Sequence, residues 1–186
     1  MNFFKKLFFV KYRIWKYKIL SNCSKISGFP NVFHPILMAG KGQISFGKNV
    51  QIGVINSPFY FSHYTYLEAR NHHSKISIGD NTSISNAFSA NAFLNISIGN
   101  DVLIGVNCHI TDTDGHDLAI DKRKNENPIC KEIFIENNVF IGDNVTILKG
   151  VTIGENSVIG DGSIVTKNIP KNVIAAGNPA KIIRNL

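Results

Sequence analysis

The chain has 186 residues, 44% of them apolar and 18% charged, which is enough apolar content for one domain with a packed core and excludes wholesale disorder. Its net charge of +7 is local: residues 1–20 hold six of the twenty Lys/Arg and no acid, while the other fourteen face thirteen Asp/Glu, so a general basic face for DNA or RNA is excluded. Cys23, Cys108 and Cys130 are odd in number and form no CxxC pair, which excludes a disulfide scaffold or zinc knuckle and points to a reducing, cytoplasmic compartment; no apolar run of about 18 residues is present to span a membrane.

The first element is basic and aromatic. Across residues 3–20, Phe3, Phe4, Leu7, Phe8, Val10, Ile14, Trp15 and Tyr17 alternate with lysines, and the pattern predicts a short helix. The run Leu7-Phe8-Phe9-Val10 is too short for the apolar region of a secretory signal. Two roles stand open for this segment. It caps the exposed strand edges at the start of the domain, or it lies on an anionic membrane surface. We take residues 1–43 as this basic segment and cap, and 44–186 as the folded domain.

From there a period of six governs the chain. It begins as Ile44-Ser45-Phe46-Gly47, continues with Ile78-Gly79 and Ile84, and becomes regular at Ile98, Ile104 and Ile110 with Val102 and Cys108. After residue 132 it runs without a slip through Ile135, Ile141, Ile147, Ile153, Ile159 and Val165, accompanied by Val139, Val145, Val151, Ser157 and Ser163. Six matches neither the 3.6 of a helix nor plain alternation. It fits short strands with two inward residues, each ended by a tight turn for which the Asn and Asp after the glycines are suited. Three such sides close a triangular coil, and coils stack about 4.8 Å apart. The expected fold is all-β, a parallel β-helix of roughly five to six coils.

The repeat breaks at 111–132, a polar excursion containing Gly and Pro, and then resumes in register. Excursions this long are usually functional or disordered. Within it stands Asp112-x-Asp114-x-His116-Asp117. A neutral imidazole suits proton abstraction from a hydroxyl near pH 7, and a carboxylate or carbonyl on its other nitrogen would fix the tautomer. Any of the three aspartates is close enough in sequence for that. The bland alternative is a solvated acidic loop with an incidental histidine. Downstream, Lys167-Asn168-Ile169-Pro170 ends the repeats, Gly177-Asn178-Pro179-Ala180 makes a turn, and Lys181-Ile182-Ile183-Arg184 closes the chain.

In combination these features resemble the hexapeptide-repeat acyltransferases over roughly residues 44–186, and the Asp-x-Asp-x-His tract is similar to that of their sugar O-acetyltransferase branch. The resemblance implies a left-handed β-helix, a hand the period alone does not give. It implies His116 as general base with Asp112 and Asp114 beside it, and Arg123 and Asn86 as acceptor-binding residues. It implies acetyl-CoA as co-substrate, held by Asp143, Asp161, Thr166, Lys167, Lys181 and Arg184, with an oxyanion donor among the amides of Gly142-Asp143. Where many relatives carry Trp this chain has Phe140, and where many carry Ala it has Asp161. The γ-class carbonic anhydrases share the β-helix and bind zinc through three histidines, but the spacing of His109 and His116 does not match theirs, so no metal is expected. A homotrimer with shared sites is implied, acting on a hydroxyl of a surface polysaccharide or its sugar precursor. An N-acetyltransferase on an amino-sugar nucleotide, or a purely structural β-helix, are the alternatives; the first usually needs a separate N-terminal domain, and the second needs no histidine-bearing excursion.

Overall fold

The structure, a computed structural model, describes residues 7–124 and 128–186; Phe3, Phe4, Lys5 and Lys6 of the basic segment and positions 125–127 of the excursion lie outside the described residues. Two-residue strands recur wherever an outward residue precedes a buried Ile or Val, as in Thr146–Ile147, Thr152–Ile153 and Val158–Ile159. Each strand hydrogen-bonds in parallel to its counterpart one coil on, and three sheets result. The first sheet contains Lys25–Ser27, Gln43–Phe46, Lys75–Ile78, Asn95–Ile98, Ile133–Ile135 and Thr152–Ile153. The second begins at Asn31–Val32 and ends in the hairpin Val173–Gly177 and Ala180–Asn185. The third runs from Ile36–Ala39 through Thr65–Ala69, Ser89–Ala92 and His109–Thr111 to Ile164–Val165.

The parallel register stacks like on like. Ile44, Ile76, Ile96 and Ile133 form one column, and Ile52, Ile84, Ile104, Ile141 and Ile159 another. These side chains are almost wholly excluded from solvent, so the core is a continuous apolar rod inside the triangle. The corners carry their own ladders. Asn49, Asn81, Asp101, Asn138, Asn156 and Asn172 all adopt positive φ, and the Asn138 amide donates to Asn156, whose own amide donates to Asn172. Asn and Asp tolerate that left-handed geometry better than other side chains, which is why they follow the inward positions at the turns.

The solenoid starts earlier than the boundary at 43/44 expected from sequence. Lys25–Ser27, Asn31–Val32 and Ile36–Ala39 form a complete first coil. Ile26, Val32 and Met38 keep the period of six, and the first two stand in register with Ile44 and Ile52, but one edge of this coil is open and Ile26 is still partly exposed. A second interruption, residues 53–64, also went unread. A π-helical turn, Leu7–Lys11, leads into helix α1, Tyr12–Leu20, which packs on Ile36–Ala39 and on this loop. Arg13 donates to the carbonyls of Tyr60 (3.0 Å), Ser62 (2.7 Å) and His63, and Tyr17 stacks on Tyr64. After α1 the amides of Asn22 and Cys23 both donate to the Met38 carbonyl, covering the free edge of the third sheet.

Candidate active site

The excursion leaves the third sheet after His109–Thr111 and is anchored at its root. Asp112 is fully buried and its carboxylate accepts the amides of Phe93 and Leu94, each at 2.7 Å, from the preceding coil. Burial holds this carboxyl above its ordinary value, an effect those amides reduce. A bridge between Thr113 and Cys130 zips the two arms together, and the Lys131 amide donates to the Asp112 carbonyl. Asp114 is held from the next coil by Lys149, Nζ to Oδ1 at 2.5 Å, while its Oδ2 is buried without a partner. Gly115 turns the chain at φ +76°, its amide donating to the Thr113 hydroxyl. His116 follows, exposed to solvent.

The imidazole lies on the wall of a cleft of about 450 Å³ shared with Arg70, Asn91, Phe93, Thr111 and Asp114. A neighbouring hollow of about 440 Å³ extends the same wall to Asn71, Lys124 and Pro128. The Arg70 guanidinium lies 4.8 Å from the centre of the Phe93 ring and pairs with Glu68 at 3.0 Å. Asn91 stands in register with Thr111 one coil away, and its Oδ1 is buried with no partner. An orphaned acceptor beside an exposed base is a feature suited to a ligand hydroxyl.

The structure thus brings His116 and Asp114 to one cleft, but gives the aspartates other partners than the imidazole. Asp112 braces the loop root, Asp114 is paired with Lys149, and Asp117 accepts the Ala119 amide at 2.9 Å. Arg123 is exposed farther along the excursion, and its neighbour Lys124 lines the hollow together with Arg70. Asn86 is not an acceptor-facing group. It is fully buried, accepts the Val54 amide, and donates to the carbonyls of Val54, Ser57 and Pro58, so it pins the 53–64 loop. Asn91, which the hexad count did not single out, stands at the cleft instead. The signal was present: in Ser89–Ala92 every second residue is buried, which turns Asn91 outward on the strand just below the excursion.

The tail is likewise rearranged. Asp143 Oδ1 accepts the Val106 amide at 2.7 Å and Asp161 Oδ1 accepts the Asp143 amide at 2.9 Å, so both carboxylates belong to a corner ladder. The Gly142 amide donates to the Ile159 carbonyl. The two amides expected to receive an oxyanion are therefore already occupied by coil stacking. Thr166, Lys167, Lys181 and Arg184 are all exposed. Thr146–Ile147 pairs with His109–Ile110 on one side and with Ile164–Val165 on the other. Continuing those strands puts Lys149 one coil beyond Asp112, and Lys167 one coil beyond Lys149. Lys181 and Arg184 belong to the terminal hairpin, paired with Ala176 and Ile174. Cys108 is buried, its thiol pushed up to about 11 by desolvation, and it donates to the Gly142 carbonyl; it is not a nucleophile. Among the described residues no three His, Cys, Asp or Glu side chains converge as a metal site.

Residues 132–167 match the family profile described as bacterial transferase hexapeptide (six repeats), and 95–115 match the hexapeptide repeat of succinyl-transferase. These two stretches carry the hexapeptide repeats of bacterial transferases. Its curated relatives include the galactoside O-acetyltransferases of Escherichia coli (strain K12), 48% identical over 116 residues, and of Lactococcus lactis subsp. lactis (strain IL1403), 39% identical over 91 residues. These matches cover 59% and 49% of this chain but only 57% and 44% of the relatives, about half their length. Among solved structures, the polySia specific acetyltransferase NeuO superposes with a TM-score of 0.66 at 26% identity, covering 88% of this chain and 83% of that one. A hexapeptide-repeat acetyltransferase from Vibrio cholerae O1 biovar eltor, solved with acetyl coenzyme A, gives 0.56 at 27% identity over 95% of this chain and 77% of its own. This hexapeptide-repeat protein is accordingly a left-handed parallel β-helix.

Proposed function

We propose that this hexapeptide-repeat protein is an acetyl-CoA-dependent O-acetyltransferase acting on a carbohydrate hydroxyl, with His116 as general base. The observation that carries this reading is the cleft itself, where an exposed imidazole and the Asn91 side chain line one space at the corner from which Lys149 and Lys167 rise coil by coil. The relatives named galactoside O-acetyltransferase and the neighbour solved with acetyl coenzyme A support it. The acceptor would be a sugar of a surface polysaccharide or its precursor, consistent with a polySia-specific neighbour, and the reaction would run in the cytoplasm, where acetyl-CoA is made.

In this mechanism the imidazole takes the proton of the acceptor hydroxyl as its oxygen attacks the thioester carbonyl. The tetrahedral adduct collapses with cleavage of the C–S bond, and the proton passes from the imidazolium to the departing thiolate. Asn91 borders the acceptor from the cleft wall. Asp112 and Asp114 hold the loop that presents His116, one through backbone amides and the other through Lys149. The exposed Lys167, Lys181 and Arg184 supply charge for the coenzyme phosphates.

The site is open on one side, and we assign a cyclic homotrimer in which a neighbouring chain closes it. Leu118, Ile120 and Ile129 on the excursion are 62%, 87% and 52% exposed, an apolar tip that one chain leaves uncovered. Leu103 and Phe140, paired across adjacent coils, add an exposed apolar strip on the second sheet. The test is thiol release from acetyl-CoA against a panel of sugars, nucleotide sugars and polysaccharides, with mass spectrometry of any product. No acetylated carbohydrate from any of them would overturn the reading. Light scattering should give the mass of three chains, and an active species at the mass of one would refute the shared site.

A further inference from the structure

The N-terminal helical segment is amphipathic in the reverse sense for a helix that merely covers a solenoid. Its inner side carries Val10, which is buried, together with Arg13 and Tyr17, which bond and stack against the 53–64 loop. Its outer side carries Phe8, Tyr12, Trp15 and Ile19, spaced four, three and four residues apart and therefore aligned in one stripe. These four are 67%, 55%, 59% and 62% exposed. A groove of about 360 Å³ lined by Leu7, Phe8, Lys11, Tyr12 and Trp15 runs along this stripe and is walled almost wholly by apolar surface. Nothing among the described residues covers it.

The charge beside the stripe identifies the occupant. On helical spacing Lys11 and Lys18 flank it on one side and Lys16 on the other, and residues 1–20 contain no acid. A second copy of this nearly neutral body offers these cations no net negative charge. An anionic lipid interface satisfies both features at once: acyl chains receive the aromatic and aliphatic stripe, and headgroups receive the lysines. We propose that the outer face of Leu7–Leu20 docks the protein peripherally on an anionic bilayer surface. The helix lies in the headgroup plane, as no helix among the described residues is long and apolar enough to cross a membrane. This docking is independent of the acetyl-transfer reading, because the surface shares no residue with the His116 cleft.

Trp15 is the sole tryptophan of the chain, so selectively excited tryptophan fluorescence reports on this face alone. The experiment titrates the full-length protein with vesicles of phosphatidylglycerol and phosphatidylcholine mixed, and of phosphatidylcholine only, at low and high salt, with flotation run in parallel. The expected result is a blue shift and flotation with the anionic vesicles only. Lys11→Ser, Lys16→Ser and Lys18→Ser together should weaken binding by about tenfold or more. Phe8→Asp with Ile19→Asp should abolish it without changing the thermal midpoint, since both side chains are exposed in the fold. No association with anionic vesicles at low salt overturns the proposal. So does binding that survives the double aspartate variant. A blue shift without vesicles that grows with protein concentration, and disappears in that variant, would show instead that the stripe joins copies of this chain.

Discussion

Two interruptions leave the same regular rod, and they are held in opposite ways. The 53–64 loop is gripped from three elements: Asn86 binds the backbone of Val54, Ser57 and Pro58, His34 donates to the carbonyls of Phe59 and Ser62, and Arg13 binds Tyr60 and Ser62. Among the described residues, the 111–132 excursion is fixed at its root, by Asp112, the Thr113–Cys130 bridge and the Asp114–Lys149 pair, and beyond that Leu118, Ile120 and Ile129 turn to solvent. Each loop contains a histidine. What separates a scaffold loop from a reactive one here is the direction of its polar groups. In the first loop Asn86, His34 and Arg13 converge on backbone carbonyls; beside the second, Asn91, Asp114 and His116 line an open cleft.

The comparison breaks most sharply at the two histidines. His116→Ala should lower turnover by about 10²–10⁴-fold with acetyl-CoA affinity little changed, the usual consequence of removing a general base. His63→Ala, in the gripped loop, should leave turnover within about twofold. Steady-state kinetics on both variants checks this. Turnover of His116→Ala near wild type would remove that residue from the mechanism and the contrast between the loops with it.

The two asparagines should divide stability from activity. Asn86→Ala leaves several buried backbone groups unpaired, each costing about 1–3 kcal/mol, and a loss of about 3 kcal/mol should lower the melting midpoint by roughly 6–12 °C. Asn91→Ala breaks no bond its Oδ1 makes in the fold, so the midpoint should move by no more than about 2 °C, while kcat/KM falls about tenfold. Calorimetry and kinetics on the pair decide it. A large loss of stability in Asn91→Ala would make that residue part of the scaffold too.

How far the sequence revealed this contrast follows from the physics of each part. The rod was legible because an Ile every sixth residue has one explanation, a side chain facing the same apolar column coil after coil. Asp112 through His116 was legible as a polar break in that column. The first coil was harder to see: Ile26 and Val32 stand six apart and in register with Ile44 and Ile52, but no Ile-Gly pair or Asn/Asp turn marks them, and at an open end Ile26 stays partly exposed. The 53–64 loop was not legible, because its grip depends on Arg13, His34 and Asn86, residues far apart in the chain. Asn86 and Asn91 illustrate the limit. Both are asparagines near an Ile repeat, but Asn86 lies buried in the turn after Ser83–Ile84, whereas the alternation of Ser89–Ala92 turns Asn91 outward.

Charge should distinguish the loops more gently. The 53–64 segment contains no Lys or Arg, whereas the corner of the excursion leads by way of Lys149 to Lys167, with Lys181 and Arg184 in the last hairpin. Alanine at Lys167, Lys181 and Arg184 together should raise the Michaelis constant for acetyl-CoA about tenfold and shrink its dependence on ionic strength, with turnover at saturation little changed. An unchanged constant would mean that the coenzyme phosphates lie elsewhere.

The smallest expected effect concerns pH and tests the grip on the first loop. His34 is fully buried, and its Nε2 lies 3.2 Å from the Phe59 carbonyl and 3.1 Å from that of Ser62. Both partners are acceptors, so Nε2 carries the proton, and burial holds the ring's pKa below its ordinary value. The sign follows from proton counting. Below about pH 6.5 the unfolded chain binds a proton that the folded chain refuses, so stability falls as pH drops through that value and is flat above it. His109, also lowered by burial and bonded to Ser89, contributes to the same slope. His34→Gln keeps a side-chain amide able to donate to both carbonyls but cannot titrate. Thermal melts of the two proteins between pH 8 and pH 5 should therefore diverge, the variant losing less of its stability in acid. Parallel curves would show that His34 holds the loop without coupling it to protons.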